Sequence, residues 1–301
     1  MRLALHGLGA SAVLAGLGAA LYAACVEPRR YRLETVSVGS GKGSPGAGSA
    51  PLKILHLSDL HLCYPESHKL EFLKRATDQD YDLVALTGDI VENYSGLIYL
   101  ESILARPPRL GAYAVLGNHD YYDYHMFHKT LGRLVRRYRH PARRRDVEPI
   151  VRALEGAGFT VLRNAAYRHR EARVHVVGID YPSLHPELLN DLVCQKGDGD
   201  LVVVLFHVPI HLDNIARAGA DLALGGHTHG GQIRIPGLGA IITDSELPRV
   251  SASGVFQRGQ TTFHVSRGLG ADPRTNVRFF CPPAATVIEV VRAQPAQGKW
   301  D

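Results

Sequence analysis

Cysteine is scarce in this chain: four are found among 301 residues, and no two of them form a C-x-x-C pair. That argues against a disulfide framework and against a zinc ribbon, and it is compatible with a reducing compartment. Charged residues make up 21% and apolar residues 45% of the sequence, ordinary values that argue against wholesale disorder. Without a visible internal repeat, a chain of this length can bury one sizeable core or two small ones.

An uncharged run opens the sequence. Residues 3–26 contain no Asp, Glu, Lys or Arg over 24 positions, and about 20 apolar residues suffice to cross a bilayer. Three interpretations are open: a signal peptide cleaved near Cys25, a lipoprotein acylated at Cys25, and an uncleaved anchor. We favour the anchor, over residues 1–28, as a single-pass transmembrane helix in the inner membrane. The arginines that follow it outnumber the positive charges before it by one, which favours a cytoplasmic catalytic domain.

Composition also predicts the boundaries of the folded domain. Residues 29–51 are predicted to be a flexible linker, because positions 39–50 consist almost entirely of Gly, Ser, Ala and Pro. The domain itself is predicted to span residues 52–292, and residues 293–301 to form a frayed tail.

Short apolar runs alternate with helical patterns through most of this domain. Six runs each carry three to five residues typical of a buried strand and then break into a polar or glycine-rich turn: LKILHLSDLHL, DLVALTGDIVE, AYAVLGNHDYY, VHVVGIDYP, LVVVLFHVP and ADLALGGHTH. Helical patterns lie near 67–79, 95–105, 146–156 and 211–218, and residues 230–292 are β-rich. The alternation predicts an α/β fold, in which ligands bind outside the carboxyl ends of the strands.

Residue types that bind metals follow five of these six strands. They are Asp59, His61, Asp89, Asn118, His119, Asp120, His207, His227 and His229. One Asp after a strand often caps the next helix, and one His is more often hydrogen-bonded than ligating. Five strand ends supplying such residues together favour a metal site. Carboxylates, imidazoles and an amide oxygen suit Mn, Fe and Zn, and the surplus of candidate ligands over those one tetrahedral ion needs indicates two ions, with Asp89 able to bridge them.

The blocks DLH, GDIVE, GNHD, a later His and GHTH resemble the calcineurin-like metallophosphoesterase superfamily in order and approximate spacing. The resemblance extends over roughly residues 52–292 and implies a layered αββα sandwich. GGHTHGGQIRIPG and SRGLG…RFFCPP further resemble a bacterial, membrane-linked branch that includes relatives of the UDP-2,3-diacylglucosamine pyrophosphatases.

The resemblance implies a role for each matching residue. Asp59, His61 and His229 would hold one ion, Asn118, His207 and His227 a second, and Asp89 would bridge them. His119 would stabilise the transition state and protonate the leaving oxygen, and Asp120 would orient or charge His119. The implied cofactors are two divalent ions, with Mn favoured and Fe, Zn or Mg as alternatives.

The implied reaction is hydrolysis of a phosphodiester or pyrophosphate by a metal-bridging hydroxide, without a covalent phosphoenzyme. The substrate would be a phosphorylated small molecule, with UDP-2,3-diacylglucosamine or another lipid-linked phosphate as candidates. A broad phosphomonoesterase, a nucleotide or DNA phosphodiesterase, a lipid-binding protein with residual metal affinity and a non-catalytic metal-binding scaffold stay open as alternatives. The complete ligand set argues against the scaffold, because a binding module has no evident need for His119.

A basic segment, predicted as an amphipathic insertion over residues 127–145, follows the GNHD block. From Lys129 to Arg145 it has eight Lys and Arg residues and no acid, and its apolar residues recur at helical spacing. It is either a solvated helix packed by its apolar stripe or an interfacial element that touches anionic lipid or an acyl-bearing substrate. A nucleic-acid patch is disfavoured because no recognisable binding module accompanies it. Candidate substrate- or membrane-proximal residues here are His125, His128, Arg133, Arg136 and Arg137.

Overall fold

Two six-stranded sheets are seen in the computed structural model, which describes residues 2–40, 50–124, 142–243, 245–271 and 275–292. The strands of the first sheet, in spatial order, are Arg32–Ser40, Ala284–Arg292, Leu52–Leu57, Leu83–Thr87, Ala112–Val115 and Phe159–Val161. Those of the second sheet are Gly254–Arg258, Thr261–Val265, Leu222–Gly225, Leu201–Leu205, Val174–Gly178 and Ala165–His169. Two short antiparallel pairs join Tyr122–Asp123 to Arg143–Arg144 and Arg234–Ile235 to Gly239–Ala240.

The six strands predicted from the apolar runs are all present, three in each sheet, and within each sheet they pair in parallel. Parallel strands that are neighbours in one sheet end at the same edge. The polar turns that follow these strands are therefore brought together. The strands predicted near the end of the domain are also present, as Thr261–Val265 and Ala284–Arg292.

Three apolar layers follow from the alternation of side chains along the strands. Ile54 of the first sheet and Val203 of the second both point into the layer between the two sheets. Their neighbours Leu55 and Val202 point to the opposite faces, into the layers under the outer helices. Each fully buried aliphatic side chain of this kind contributes about 1.5–3 kcal/mol. Helices Ser67–Thr77, Tyr94–Ser102 and Glu148–Gly156 cover the first sheet, and Pro186–Cys194 and Leu212–Arg217 cover the second.

The predicted layered α/β fold is thus confirmed, with two differences among the helices. The segment predicted near 95–105 is a 3₁₀ helix, Tyr94–Ser102. Helix Pro186–Cys194 was not predicted. It begins with a proline in its first turn, where the fixed φ of that residue suits a helix and its missing N–H costs nothing.

The predicted linker over residues 29–51 differs from the structure in its first half. Arg32–Ser40 is a strand at the edge of the first sheet and pairs in parallel with Ala284–Arg292. Val36 and Val38 pack into the layer between the sheets, because they share one face of the strand. The folded domain therefore begins before Leu52.

The transmembrane anchor predicted over residues 1–28 is not supported. The first helix spans Arg2–Leu21, and two short turns, Tyr22–Val26 and Glu27–Arg29, follow it. Among the residues that the structure describes, there is no helix long and apolar enough to cross a bilayer.

The end of the predicted anchor segment packs against the domain. The carbonyl of Ala23, which is buried, accepts a hydrogen bond from the backbone N–H of Arg278. The buried carboxylate of Glu27 accepts from the backbone N–H groups of Phe280 and Cys281. These contacts fix the segment that links the first helix to the edge strand.

Most of the predicted basic insertion, including His125, His128, Arg133, Arg136 and Arg137, lies outside the described residues. Its last residues are described: Arg143–Arg144 pairs with Tyr122–Asp123, and Arg145 lies against the candidate site.

Candidate metal centre

Predicted ligands from both sheets converge into two clusters. Ligand atoms of Asp59, His61, Asp89 and His229 lie within 4.8 Å of one another, and so do those of Asp89, His207 and His227. We call Asp59, His61 and His229 the first cluster. The second cluster consists of Asn118, His207 and His227.

Asp89 is common to both clusters. Its Oδ2 lies 3.6 Å from Nε2 of His61 and 3.2 Å from Nε2 of His207. Its Oδ1 accepts a hydrogen bond of 2.7 Å from the backbone N–H of His119. A carboxylate placed in this way faces both groups of ligands at once.

Two ring nitrogens of the first cluster have no hydrogen-bond partner among the described atoms, although both are buried: Nε2 of His61 and Nδ1 of His229. Burying a polar atom without a partner is costly. Asp59, in contrast, accepts from the Ser58 hydroxyl at 2.5 Å and from the backbone N–H of His227 at 3.0 Å. Nε2 of His61, unsatisfied and 3.6 Å from Oδ2 of Asp89, fits a bound divalent cation. In His229 the ring nitrogen nearest a carboxylate is Nε2, which lies 3.7 Å from Oδ1 of Asp59.

In the second cluster, polar atoms lie within hydrogen-bond distance of one another. Oδ1 of Asn118 lies 3.1 Å from Nε2 of His207 and 2.9 Å from Nδ1 of His227. Nδ1 of His207 lies 2.8 Å from the carbonyl oxygen of Thr87, so this nitrogen carries a proton and donates it. When His207 is neutral, Nε2 is then the free lone pair that a metal requires.

The backbone at the centre is unusual. Asp59, His61, Asp89, His227 and His229 all have positive φ, between 44° and 70°. Residues other than glycine rarely adopt this region, at a cost of about 1–3 kcal/mol each. Such conformations persist only where the surrounding structure enforces them, and they are concentrated at functional sites.

Gly117 shows how tightly the loops approach one another. A Cβ at this position would lie 2.3 Å from Oδ1 of Asp89, far inside van der Waals contact. Only glycine therefore fits beside the shared carboxylate.

His119 is buried beside the first cluster. Its ring centroid is 4.7 Å from that of His61, and its Nδ1 lies 3.2 Å from Oε2 of Glu92. The same oxygen of Glu92 lies 2.8 Å from Nδ1 of His61. Glu92 therefore holds the Nδ1 proton of His61 and leaves Nε2 for the metal.

Glu92 was not among the residues predicted to belong to the site. The signal was present, since Glu92 ends the GDIVE block, three residues after Asp89. Spacing alone does not show that the turn folds its carboxylate back between two histidines.

Asp120 makes different contacts from those expected. One carboxylate oxygen accepts from the backbone N–H groups of Ile90 and Val91, and the other accepts from that of Gly117. These bonds tie the GDIVE and GNHD turns together. The carboxylate beside the His119 ring is that of Glu92.

Arg145, predicted as part of the basic insertion, braces the same turns. Its guanidinium donates to the carbonyl of His119 at 2.9 Å and to that of Glu92 at 2.6 Å. It also pairs with Asp123 at 3.1 Å. Its role is therefore local support of the His119 turn.

Burial and mutual attraction set the charges of the clusters. Burial lowers the pKa values of His61 and His229, which keeps both rings neutral, as metal ligation requires. Burial also raises the pKa of Asp59 to about 6. Burial opposes a charge on His207 as well, but the attraction of Asp89 outweighs it and raises the pKa of His207 to about 9. The pKa of Asp89 is held well below its usual value against the effect of burial, chiefly by the charge of His207.

Glu92 follows the same pattern. Burial disfavours its charge, but its contacts with the rings of His119 and His61 keep its pKa well below the ordinary range. Its carboxylate is therefore ionised at neutral pH.

The sequence model of the calcineurin-like phosphoesterase family matches residues 52–231, and the chain belongs to this family. The matched region contains both clusters, Glu92 and His119. Membership of this phosphoesterase family indicates hydrolysis of phosphoesters. The two groups of candidate metal ligands in the structure indicate that the hydrolysis depends on metal ions. The protein is a metal-dependent phosphoesterase.

Several relatives match most of the chain. The metallophosphoesterase YkoQ of Bacillus subtilis is 28% identical over 277 residues, covering 90% of this chain and 94% of its own. The phosphodiesterase YaeI of Escherichia coli is 29% identical, with 81% of this chain and 83% of its own covered. The UDP-2,3-diacylglucosamine pyrophosphatase LpxG of Chlamydia muridarum is 26% identical, with 79% and 83% covered.

Proposed function

We propose that the protein hydrolyses a phosphodiester or pyrophosphate bond at a centre of two divalent cations. The first cluster would hold one cation and the second cluster the other, with Asp89 between them. The main observation in support is that Oδ2 of Asp89 faces a ring nitrogen of each cluster, at 3.6 Å from His61 and 3.2 Å from His207. Oxygen and imidazole donors suit manganese, which we take as the first metal to test.

When bound, two divalent cations supply a nucleophile at neutral pH and neutralise charge on the phosphate oxygens. The chain's own residues position the rest. Glu92, buried and ionised, lies 3.2 Å from Nδ1 of His119 and would hold a proton on that nitrogen. Nε2 of His119 would then carry the proton that goes to the leaving oxygen. Such a proton transfer typically contributes about 10²–10⁴-fold to the rate.

Hydrogen bonds between the backbone of His119 and the side chains of Asp89 and Arg145 hold this residue in place for that task. The N–H of His119 donates to Asp89, and its carbonyl accepts from Arg145. The backbone of His119 is therefore held on one side by the shared ligand and on the other by Arg145, which also donates to the carbonyl of Glu92 in the GDIVE turn.

A lipid-linked phosphate is the substrate class that we propose to test first. The support is the relative named as a UDP-2,3-diacylglucosamine pyrophosphatase. The relative named as a phosphodiesterase supports a second candidate, a phosphodiesterase of soluble substrates.

The test is metal-dependent turnover by the purified full-length chain. The protein is stripped of metal with a chelator, reconstituted with Mn²⁺, and assayed with bis(p-nitrophenyl) phosphate. We expect activity to return with about two Mn²⁺ bound per chain. Turnover that is independent of added metal, or metal binding without turnover, would contradict the proposal. UDP-2,3-diacylglucosamine, a cyclic nucleotide and p-nitrophenyl phosphate are then compared by kcat/KM.

A further inference from the structure

A groove with a volume of about 240 Å³ opens beside His227 and His229, one ligand from each cluster. Its walls come from the segment after GHTHGG and from the chain opposite. We call it the hairpin groove, and its apolar walls are formed by Ile233, Ile241, Ile242 and Val277.

The hairpin that forms one wall is held rigidly against the metal loop. Arg234–Ile235 pairs with Gly239–Ala240, and the N–H of Ile241 donates to the carbonyl of Ile233. Gly231 has a φ of +85°, and a Cβ on it would lie 2.2 Å from Cβ of Ala240. There is no space for a side chain between Gly231 and Ala240, so the hairpin packs in direct contact with the turn that follows His229.

The opposite wall is bonded to the hairpin. The N–H of Arg234 donates to the carbonyl of Phe279 at 2.9 Å, and the N–H of Phe279 donates to the carbonyl of Gln232 at 2.9 Å. Both walls are therefore fixed relative to the metal centre.

Four aliphatic side chains give the groove its apolar surface, and uncharged Thr and Gln residues, a glycine and the two histidines complete its lining. None of the described residues that line it is Asp, Glu, Lys or Arg. The Gln232 amide donates to the carbonyl of Thr275, and the Thr243 hydroxyl donates to that of Leu247. Ile241 and Ile242 keep 44% and 52% of their surfaces exposed, and Val277 keeps 37%. An apolar patch left exposed at the mouth of an active centre is typical of a binding surface.

We propose that the hairpin groove binds an alkyl or acyl chain of the substrate while the phosphate lies at the metal centre. This inference rests on the proposed function, and it defines the substrate class as amphiphilic phosphoesters. Pockets for a whole ligand measure roughly 300–1,000 Å³. The hairpin groove is smaller, which suits one chain of a larger molecule.

Chain length is the direct test. The Mn²⁺-loaded full-length protein is assayed with methyl, butyl and octyl p-nitrophenyl phosphate, below the concentration at which any of them forms micelles. The three diesters share one leaving group, so only the apolar part varies. We expect kcat/KM to rise by up to about fourfold for each methylene that the groove buries, and then to level off.

Matched variants locate the effect. Ile242→Ser and Val277→Ser each remove an apolar wall from an exposed position, and each should reduce the dependence on chain length. Leu188→Ser removes a side chain that is 44% exposed, on the helix Pro186–Cys194 outside the groove, and should leave the dependence as in the wild type.

The outcomes separate the two proposals. Mn²⁺-dependent hydrolysis that is equally fast for all three diesters would overturn the groove while leaving the proposed function intact. A chain-length dependence that survives in both groove variants, or that is lost in Leu188→Ser, would also overturn it. No hydrolysis of even the methyl diester would contradict the proposed function itself.

Discussion

The two ligand clusters share Asp89 but differ in how their polar atoms are satisfied. In the second cluster, Oδ1 of Asn118 lies within 3.1 Å of a ring nitrogen of His207 and of one of His227, and a backbone carbonyl accepts from Nδ1 of His207. In the first cluster, buried ring nitrogens of His61 and His229 have no partner among the described atoms. Without a cation, residues of the second cluster can thus contact one another through their polar atoms, whereas the first cluster leaves buried ring nitrogens without a partner.

The difference extends to charge. The raised pKa of His207 lets a proton stand in for a cation beside Asp89. The lowered pKa values of His61 and His229 leave the first cluster without such a substitute. We therefore expect the first cluster to lose more order when the metals are removed.

The largest effect should come from the residue that the clusters share. Asp89→Asn keeps the size of the side chain but removes the charge that faces both groups of ligands. We expect metal content to fall to one ion per chain or fewer, and kcat for bis(p-nitrophenyl) phosphate to fall by at least about 10³-fold.

Asp180→Asn is the matched control. Asp180 also follows a strand, but its carboxylate is bonded to Tyr121 and Arg163, outside both clusters. It should keep both metals and nearly full activity. Two metals retained in Asp89→Asn would show that the clusters do not depend on a shared ligand.

His119→Ala should separate catalysis from metal binding. The ring of His119 is next to the first cluster but belongs to neither, and its removal should lower kcat by about 10²–10⁴-fold. Metal content, measured by elemental analysis, should stay near that of the wild type. If metal and activity fell together, His119 would be a ligand.

Glu92→Gln should weaken the first cluster and leave the second one largely intact. The substitution removes the carboxylate that fixes Nδ1 of His61, whereas His207 keeps the carbonyl of Thr87. Losing such a supporting contact typically costs about 10–100-fold in metal affinity. Titration of the stripped protein with Mn²⁺ should show one weakened site and one unchanged site. Equal weakening of both would remove the distinction between the clusters.

The smallest effect concerns the stability of the metal-free protein at alkaline pH. The pKa of His207 rises from an unfolded value of about 6.5 to about 9 on folding, so its stabilising contribution is complete below pH 6.5 and is lost as the pH rises through 9. Between pH 7 and pH 9 the free energy of unfolding should fall by about 2 kcal/mol from this residue.

Urea denaturation at the two pH values measures this loss. His207→Gln should lack the histidine-dependent part of it, and His185→Gln, at an exposed position, should retain it. If the free energy of unfolding depended on pH in the same way in the wild type and in His207→Gln, the stabilising proton would not be on His207.

The sequence was sufficient to predict the strands and the residues that follow them, because buried strands have a simple apolar pattern and their polar ends stand out. It did not predict the edge strand Arg32–Ser40, whose partner Ala284–Arg292 lies far away along the chain. The glycine- and serine-rich segment beside that strand also favoured a linker.

The same limit applies within the site. Glu92 and Asp120 are both carboxylates in the turns that carry the ligands, and the sequence favoured Asp120 as the partner of His119 because it is adjacent. In the structure the helical turn at Asn118–Tyr121 directs Asp120 to backbone N–H groups, while Glu92 reaches His119 from a different turn. Adjacency in sequence does not determine which side chain faces a ring.

The most direct test of a shared two-cation centre is anomalous X-ray scattering from a crystal of the Mn²⁺-loaded protein. We predict two peaks roughly 3.5–4 Å apart, one against each cluster, with the carboxylate of Asp89 between them. A single peak, or a peak held by Glu92 and His119 in place of Asp89, would contradict the account.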